Sequence, residues 1–368
     1  MIAYEPCAGV DVERDGDVAG QVLARLREQV AAATRDQRAL VITGGDTKAA
    51  IGRPVTGAAL ALADYRGILA YSPSELVITA RAGTPLTAID AALAARGQML
   101  GFEPPRFGAA SSIGGIVAAG LSGPRRPYAG AVRDFVLGVR VMNGQGEVLR
   151  FGGQVMKNVA GYDVPRLMTG AHGTLGVLVE VSLRVLPRPA CELGVSWALS
   201  PAAALARMVA LARRSLSISG LAYADGRLHA RIAGDAGAVA ALSRELAPDA
   251  VETGLEFWES LRDLPAAAPA DGLALWRLGV PPAAPALDLP GRWIWDWGGA
   301  QRWLVTDAPT ARIRDAAERV GGHASRMRGD GGTDFAPLAA PVLAVQRELK
   351  SVFDPAGIFN PGRLYPEL

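Results

Sequence analysis

Three glycine-rich segments punctuate the first half of this 368-residue chain: Thr43-Gly44-Gly45-Asp46-Thr47-Lys48, Ser111-Ser112-Ile113-Gly114-Gly115, and Gly170-Ala171-His172-Gly173-Thr174-Leu175-Gly176. Glycine loses more conformational freedom on folding than any other residue, so clusters mark places where the backbone turns sharply or passes very close to something. The first follows the apolar, β-branched run ALVIT (39–43), the second enters a helix of Ile116, Val117, Ala118 and Ala119, and the third opens the strand-like stretch 174–187. After a strand, consecutive glycines let backbone N–H groups converge on an anion such as a diphosphate. Thr47 would add a hydroxyl and Lys48 a cation, although an ordinary strand-end turn also fits. Gly114 and Gly115 allow a ligand to approach the first helical turn, or else allow close helix packing. His172, inside the third turn, reads as a satisfied or exposed loop histidine.

Familiar alternatives find no support. The chain has no GxxxxGK[ST], no GxGxxG between a strand and a helix, and no GxSxG elbow. With 38 basic against 36 acidic side chains, the net charge of +2 argues against a dedicated nucleic-acid binder. Half of the residues are apolar, enough for two ordinary domains. Cys7 and Cys191 lie far apart, and His172, His229 and His323 form no HExxH or CxxC pattern, so neither a disulfide framework nor a metal site is expected. The N-terminal residues carry acids and no apolar core of a secretory signal, which points to a cytoplasmic protein. Phe107 to Pro124 is uncharged over 18 residues. Its glycines and serines suit a buried small-residue helix better than a membrane span, so no transmembrane segment is expected.

The remaining pattern is mixed. Residues 17–33 space Val18, Val22, Leu26 and Val30 as an amphipathic helix, and ELVITARAG (75–83) reads as a strand. Thr84-Pro85 looks like the start of a helix that stops at Gly97. Residues 135–153 read as a hairpin turning at Asn143-Gly144. In 174–187, Val179, Val181, Leu183 and Val185 alternate with Glu180, Ser182 and Arg184, the pattern of a half-buried strand. Beyond Pro189 the texture changes, and no internal repeat is evident. Six of the seven tryptophans fall between 258 and 303, with Trp293, Trp295 and Trp297 spaced for one strand face. They either pack a small sheet or, for one or two of them, line a substrate or partner surface.

The three glycine clusters, in this order and at these intervals, resemble the FAD-binding domain of the vanillyl-alcohol-oxidase (PCMH-type) flavoprotein family. The tail FDPAGIFNPGR (353–363) resembles that family's C-terminal return to the FAD domain. A closer resemblance, carried by residues 123–178 and by WGGAQRWL (297–304), is to the family of FAD-binding subunits of bacterial glycolate oxidases.

The resemblance implies an α+β fold: a two-lobed PCMH-type FAD-binding domain with a small ferredoxin-like antiparallel α+β cap. It implies domains at 1–189 (lobes split near 97–110), 190–335, and a return at 336–368. FAD would be contacted by Gly44, Gly45, Thr47, Lys48, Ser112, Gly114, Gly115, Gly130, Gly173, Thr174, Gly176 and Val177. Covalent members carry a histidine in the phosphate loop; GGDTKA has none, so non-covalent FAD is expected. The implied activity is oxidation of glycolate, with D-lactate as a neighbouring candidate. It would occur beside a larger FAD-containing subunit and an iron–sulfur subunit, in a complex that could sit peripherally at the inner face of the cytoplasmic membrane. An FAD-holding relay without substrate chemistry is the alternative, because no histidine-rich metal motif for a hydroxy acid is found. Candidate catalytic or clamping residues are Arg125, Arg126, His323 and Arg328.

Overall fold

The computed structural model describes residues 16–153, 161–214, 216–266, 269–270, 272–329 and 332–368. Cys7, the N-terminal segment and QVMKNVA (154–160) lie outside them. Helix α1 (Gly16–Arg35) buries Val22, Leu26 and Val30 along one face, with Val18 left exposed. It leads into β1 (Leu40–Thr43), which pairs in parallel with β2 (Ala58–Ala61). The tail joins the same small lobe. Leu40 N–H donates to Ile358 O at 2.7 Å, and Asn360 N–H donates to Leu40 O at 3.0 Å.

The second lobe is built from β3 (Ile68–Ser72), β4 (Val77–Arg81), β6 (Val136–Met142), β7 (Val148–Gly152) and β8 (Val177–Arg184), in the antiparallel order β3-β4-β8-β6-β7. A short pair, β5 (Gln98–Met99) with β9 (Leu186–Pro187), lies apart. The helices here are α2 (Leu86–Ala94), α3 (Ile113–Ala119) and the one-turn α4 (Arg126–Ala129), α5 (Val132–Phe135) and α6 (Val164–Met168). The expected lobe split at 97–110 does not coincide with a change of sheet. The chain leaves the small lobe after β2, and the five-stranded sheet takes strands from both sides of 97–110.

Several local expectations are corrected. β8 is buried on both faces, because it is the central strand; Glu180 accepts from Arg140 at 2.5 Å and from the Tyr65 hydroxyl at 3.2 Å, which makes its burial tolerable. Thr84 does not cap α2 but bonds Gly67 and the Arg81 carbonyl. The positive φ of the hairpin falls on Gly146 (77°), with Asn143 Oδ1 accepting from the N–H groups of Gln145 and Glu147. Gly144 serves the tail instead: its N–H donates to Phe353 O at 2.8 Å, and a Cβ there would stand 2.8 Å from Asp354 Oδ1.

Beyond residue 190 lies one eight-stranded antiparallel sheet. Its first half runs β10 (Cys191–Ala198), α7 (Pro201–Ala212), β11 (Ile218–Ala224), β12 (Arg227–Gly234), α8 (Ala236–Leu246) and β13 (Ala250–Glu252). The spatial order β13-β10-β12-β11 is that of a βαββαβ ferredoxin-like unit. After α9 (Glu256–Asp263) come β14 (Ala274–Gly279), β15 (Arg292–Asp296), β16 (Gln301–Thr306), α10 (Thr310–Arg319) and β17 (His323–Arg328). These repeat the same spatial order, with a proline-rich loop in place of the first helix, and join the first half through β11·β15. The region is therefore a structural duplication, not one small unit.

Helices do not all lie on one face. α7, α8 and α10 cover one side, while Trp258 and Leu261 of α9 pack on the other with Ala222, Leu275 and Trp303, against Ile51, Ala119 and Leu121 of the first region. The last helix, α11 (Ala340–Phe353), carries the chain back to β1. Among the described residues, no helix is long and apolar enough to cross a membrane.

Candidate functional site

β1 delivers the first glycine cluster to the junction between the lobes, and α3 presents the second cluster opposite it. Ser112 caps α3 by accepting from Gly115 N–H at 3.3 Å. A cavity of about 490 Å³ opens between them, lined by Gly44, Gly45, Thr47, Lys48, Ser112 and Gly115 among others. Lys48 Nζ donates to Ser111 Oγ at 2.5 Å and lies 4.9 Å from the Phe107 ring centroid, with no carboxylate in ion-pair distance among the described residues. Burial pushes this ammonium down to about 8. Unlike most structural lysines, it lacks a protein counter-ion, as a group waiting for an anionic ligand would.

The glycines divide by what surrounds them. A Cβ on Gly45 would lie 1.5 Å from Ala110 O, and one on Gly114 would lie 2.5 Å from the Ala82 Cβ, so both are required by packing. A Cβ on Gly115 would meet only Ser112 Oγ, at 3.2 Å, and otherwise faces the cavities that Gly115 lines. Gly173 takes φ +72° and lines a smaller cavity of about 70 Å³ with Gly114 and Gly176. Thr174 reaches a third, larger cavity. Gly130 and Val177 line none of these spaces: Gly130 holds φ +111° before the Ala131–Asp134 turn, and Val177 is wholly buried in the core.

The third cavity, about 790 Å³, lies where the eight-stranded sheet meets the two-lobed region. His172 lines all three cavities, so they adjoin one another around it. Burial, with Arg363 and Arg277 nearby, lowers its imidazole to about 3, and it is neutral at ordinary pH. Arg126, Arg133, Arg277 and His323 share the large cavity with Trp297 and Gln301. No Asp or Glu side chain is among the described residues lining it. Burial, then Arg126, lowers Arg277, and burial, then Arg277, lowers His323. Burial and Arg277 thus both favour the neutral, proton-accepting form of His323.

Two candidates fail. Arg125 is buried in an ion-paired network with Glu103 (3.1 Å) and Glu192, so its charge is already spent on the protein. Arg328 donates to Pro265 O at 3.1 Å, lies against the Phe107 ring, and lines none of these three cavities. Several contributors lay outside sequence reasoning. Arg277 is a lone charge in the apolar run LALWRLGV (273–280), a signal that was available. Asn360 and Arg363 come from the tail. Asn360 Oδ1 accepts from Ile42 N–H (2.9 Å) while its Nδ2 donates to His172 O (2.7 Å). Arg363 donates to the carbonyls of Lys48 (3.1 Å) and Ile51 (2.8 Å). Among the described residues no group of three or more His, Cys, Asp or Glu could hold a metal ion.

Comparison with known proteins gives a consistent picture. Residues 18–152 match the family model described as an FAD binding domain. The chain is 50% identical over 344 residues to the glycolate oxidase subunit GlcE of Escherichia coli K12, covering 93% of this chain and 97% of that protein. It is 40% identical over 79 residues to the glycolate oxidase subunit GlcD of Bacillus subtilis, which covers 22% of this chain and 17% of that one. A solved structure of alkyldihydroxyacetonephosphate synthase superposes with a TM-score of 0.66 at 15% identity, over 92% of this chain and 74% of the synthase, a likeness of fold.

Proposed function

Because the chain belongs to the FAD-binding family of the glycolate oxidase subunit GlcE, we propose that it is the FAD-holding subunit of a multi-subunit oxidoreductase. The complex oxidises glycolate, with D-lactate as a second candidate, to the 2-oxo acid and passes the electrons to an iron–sulfur subunit. A larger FAD-containing subunit completes it. The complex is cytoplasmic, or peripheral at the inner face of the cytoplasmic membrane.

The observation that carries this reading is the set of adjoining cavities around His172. One cavity has glycine-lined walls and the half-buried Lys48 without an ion-pair partner; the adjoining large cavity carries three arginines and no Asp or Glu side chain among the described residues lining it. These walls suit FAD. Gly44, Gly45, Thr47 and Lys48 would hold its diphosphate, while Ser112, Gly114, Gly115, Gly173, Thr174 and Gly176 would border the remainder. The absence of a histidine from the phosphate loop supports non-covalent attachment. FAD, when bound, supplies a two-electron acceptor.

The chain's own residues supply the rest. Arg126 and Arg277 bind and orient the substrate carboxylate, which faces no Asp or Glu side chain among the described residues lining the cavity. His323, held neutral, accepts the proton of the substrate hydroxyl on a ring nitrogen. The apolar wall, including Met327 and Phe335, limits water around the reacting carbon.

The test is anaerobic mixing of the purified chain with glycolate. Flavin bleaching without partners is the expected result. Bleaching only after the other subunits are added would favour the relay reading instead.

A further inference from the structure

Trp297 is the one tryptophan that lines the large cavity, and its geometry is unusual in three independent ways. Its φ is +53°, followed by Gly298 at +63° and Gly299 at +95°. A bulky side chain in the left-handed region is a genuine outlier, tolerated where the surroundings over-determine it. Its Nε1 donates to Gly123 O at 3.0 Å, across the contact between the sheet and the two-lobed region. The Arg126 guanidinium carbon lies 4.2 Å from its ring centroid. Behind it, Asp296 Oδ1 accepts from the Trp297 N–H at 2.7 Å, fixing the turn from the buried side.

Arg126 has no carboxylate in ion-pair distance among the described residues, so the indole face is the group that orients it. A guanidinium laid on a ring keeps its edge N–H donors free, which is what forked binding of a carboxylate requires. We propose that Trp297 is a positioning residue for substrate: its strained backbone sets an aromatic platform that holds Arg126 toward the cavity, ready for the carboxylate of a small 2-hydroxy acid. The inference rests on the reading of the cavity as the substrate site. It also accounts for a tryptophan standing at a backbone conformation that a glycine would adopt freely.

The test uses the full-length, flavin-loaded chain and oxalate, a small carboxylate that cannot be oxidised as a hydroxy acid. Oxalate binding is measured by calorimetry and by the flavin difference spectrum, alongside KM and kcat for glycolate. Arg126→Met should weaken oxalate by about tenfold or more. Trp297→Leu should weaken it by about threefold to tenfold and raise KM with kcat little changed, while Trp297→Phe should retain binding within about threefold, because a ring face remains. Flavin content and circular dichroism should match the wild type in all three. If Trp297→Leu does not fold, Trp297→Gly replaces it, since glycine accepts the backbone angle while removing the platform. No oxalate binding by the wild type, or undiminished binding by Arg126→Met, removes the substrate-site reading on which the inference stands. A clear loss in Arg126→Met with wild-type binding in the Trp297 variants overturns the positioning role alone, as does equal loss in Trp297→Phe and Trp297→Leu.

Discussion

Gly114 and Gly115 are adjacent in sequence, yet a valine at each should fail in different ways. Gly114→Val forces a side chain into Ala82 and should cost about 1 to 3 kcal/mol of stability by overpacking. Gly115→Val intrudes mainly on the cavities, so soluble protein with wild-type circular dichroism should have lost its FAD. Full flavin occupancy in such a sample would remove this loop from the cofactor site. Lys48 offers a second residue-level test. Its ammonium is lowered to about 8, and a diphosphate favours the charged form. The affinity of apoprotein for FAD should therefore fall as pH rises above 8, by up to about tenfold per unit, one proton being taken up on binding. Lys48→Met should flatten that dependence in a fluorescence titration. The glycine clusters were legible in sequence because close approach leaves a compositional mark. Which glycines meet protein and which meet the cavity was not, since Ala82 and Ala110 come near only through the fold.

At the scale of elements, the tail matters more than its length suggests. Lys350 Nζ donates to Thr174 O and Phe359 O, both at 2.7 Å, so α11 is pinned to the third glycine turn and to the tail beside β1 at once. Asn360 then joins β1 to that turn. Asn360→Ala leaves the Ile42 N–H and the His172 carbonyl without their partner, which should cost about 1 to 3 kcal/mol. The loss should appear as weaker FAD binding in the same titration, with the eight-stranded sheet intact. Sequence marked the tail as a return but could not single out Asn360, whose two partners are 318 and 188 residues away. The duplication beyond residue 190 stayed hidden for a different reason. The second half replaces a helix with a proline-rich loop, so its periodicity departs from the first although the strand order is the same. The tryptophan spacing misled similarly: β15 ends at Asp296, and Trp297 turns away from the strand face.

At the scale of the whole molecule, the large cavity proposed for substrate exists only because the sheet and the two-lobed region are held together. A buried network spans that contact, with Glu103 accepting from Arg125 (3.1 Å) and Arg231 (2.9 Å), and Glu192 paired with Arg125. Arg231→Met removes one of the two guanidinium groups from Glu103, with Arg125 remaining, and should cost about 1 to 3 kcal/mol in denaturant unfolding. Although burial works to raise the Glu103 pKa, Arg231 and Arg125 hold it below the ordinary value of 4.5. Its stabilising contribution is thus fully present above that value and is lost as pH falls through the lower folded value. The most direct test of FAD held non-covalently in these cavities is the visible spectrum of the purified, folded chain before and after acid precipitation. The protein should be yellow, with about one flavin per chain released into the supernatant and identified as FAD. A colourless chain of native circular dichroism that takes up no added FAD, or flavin that stays with the precipitate, would contradict it.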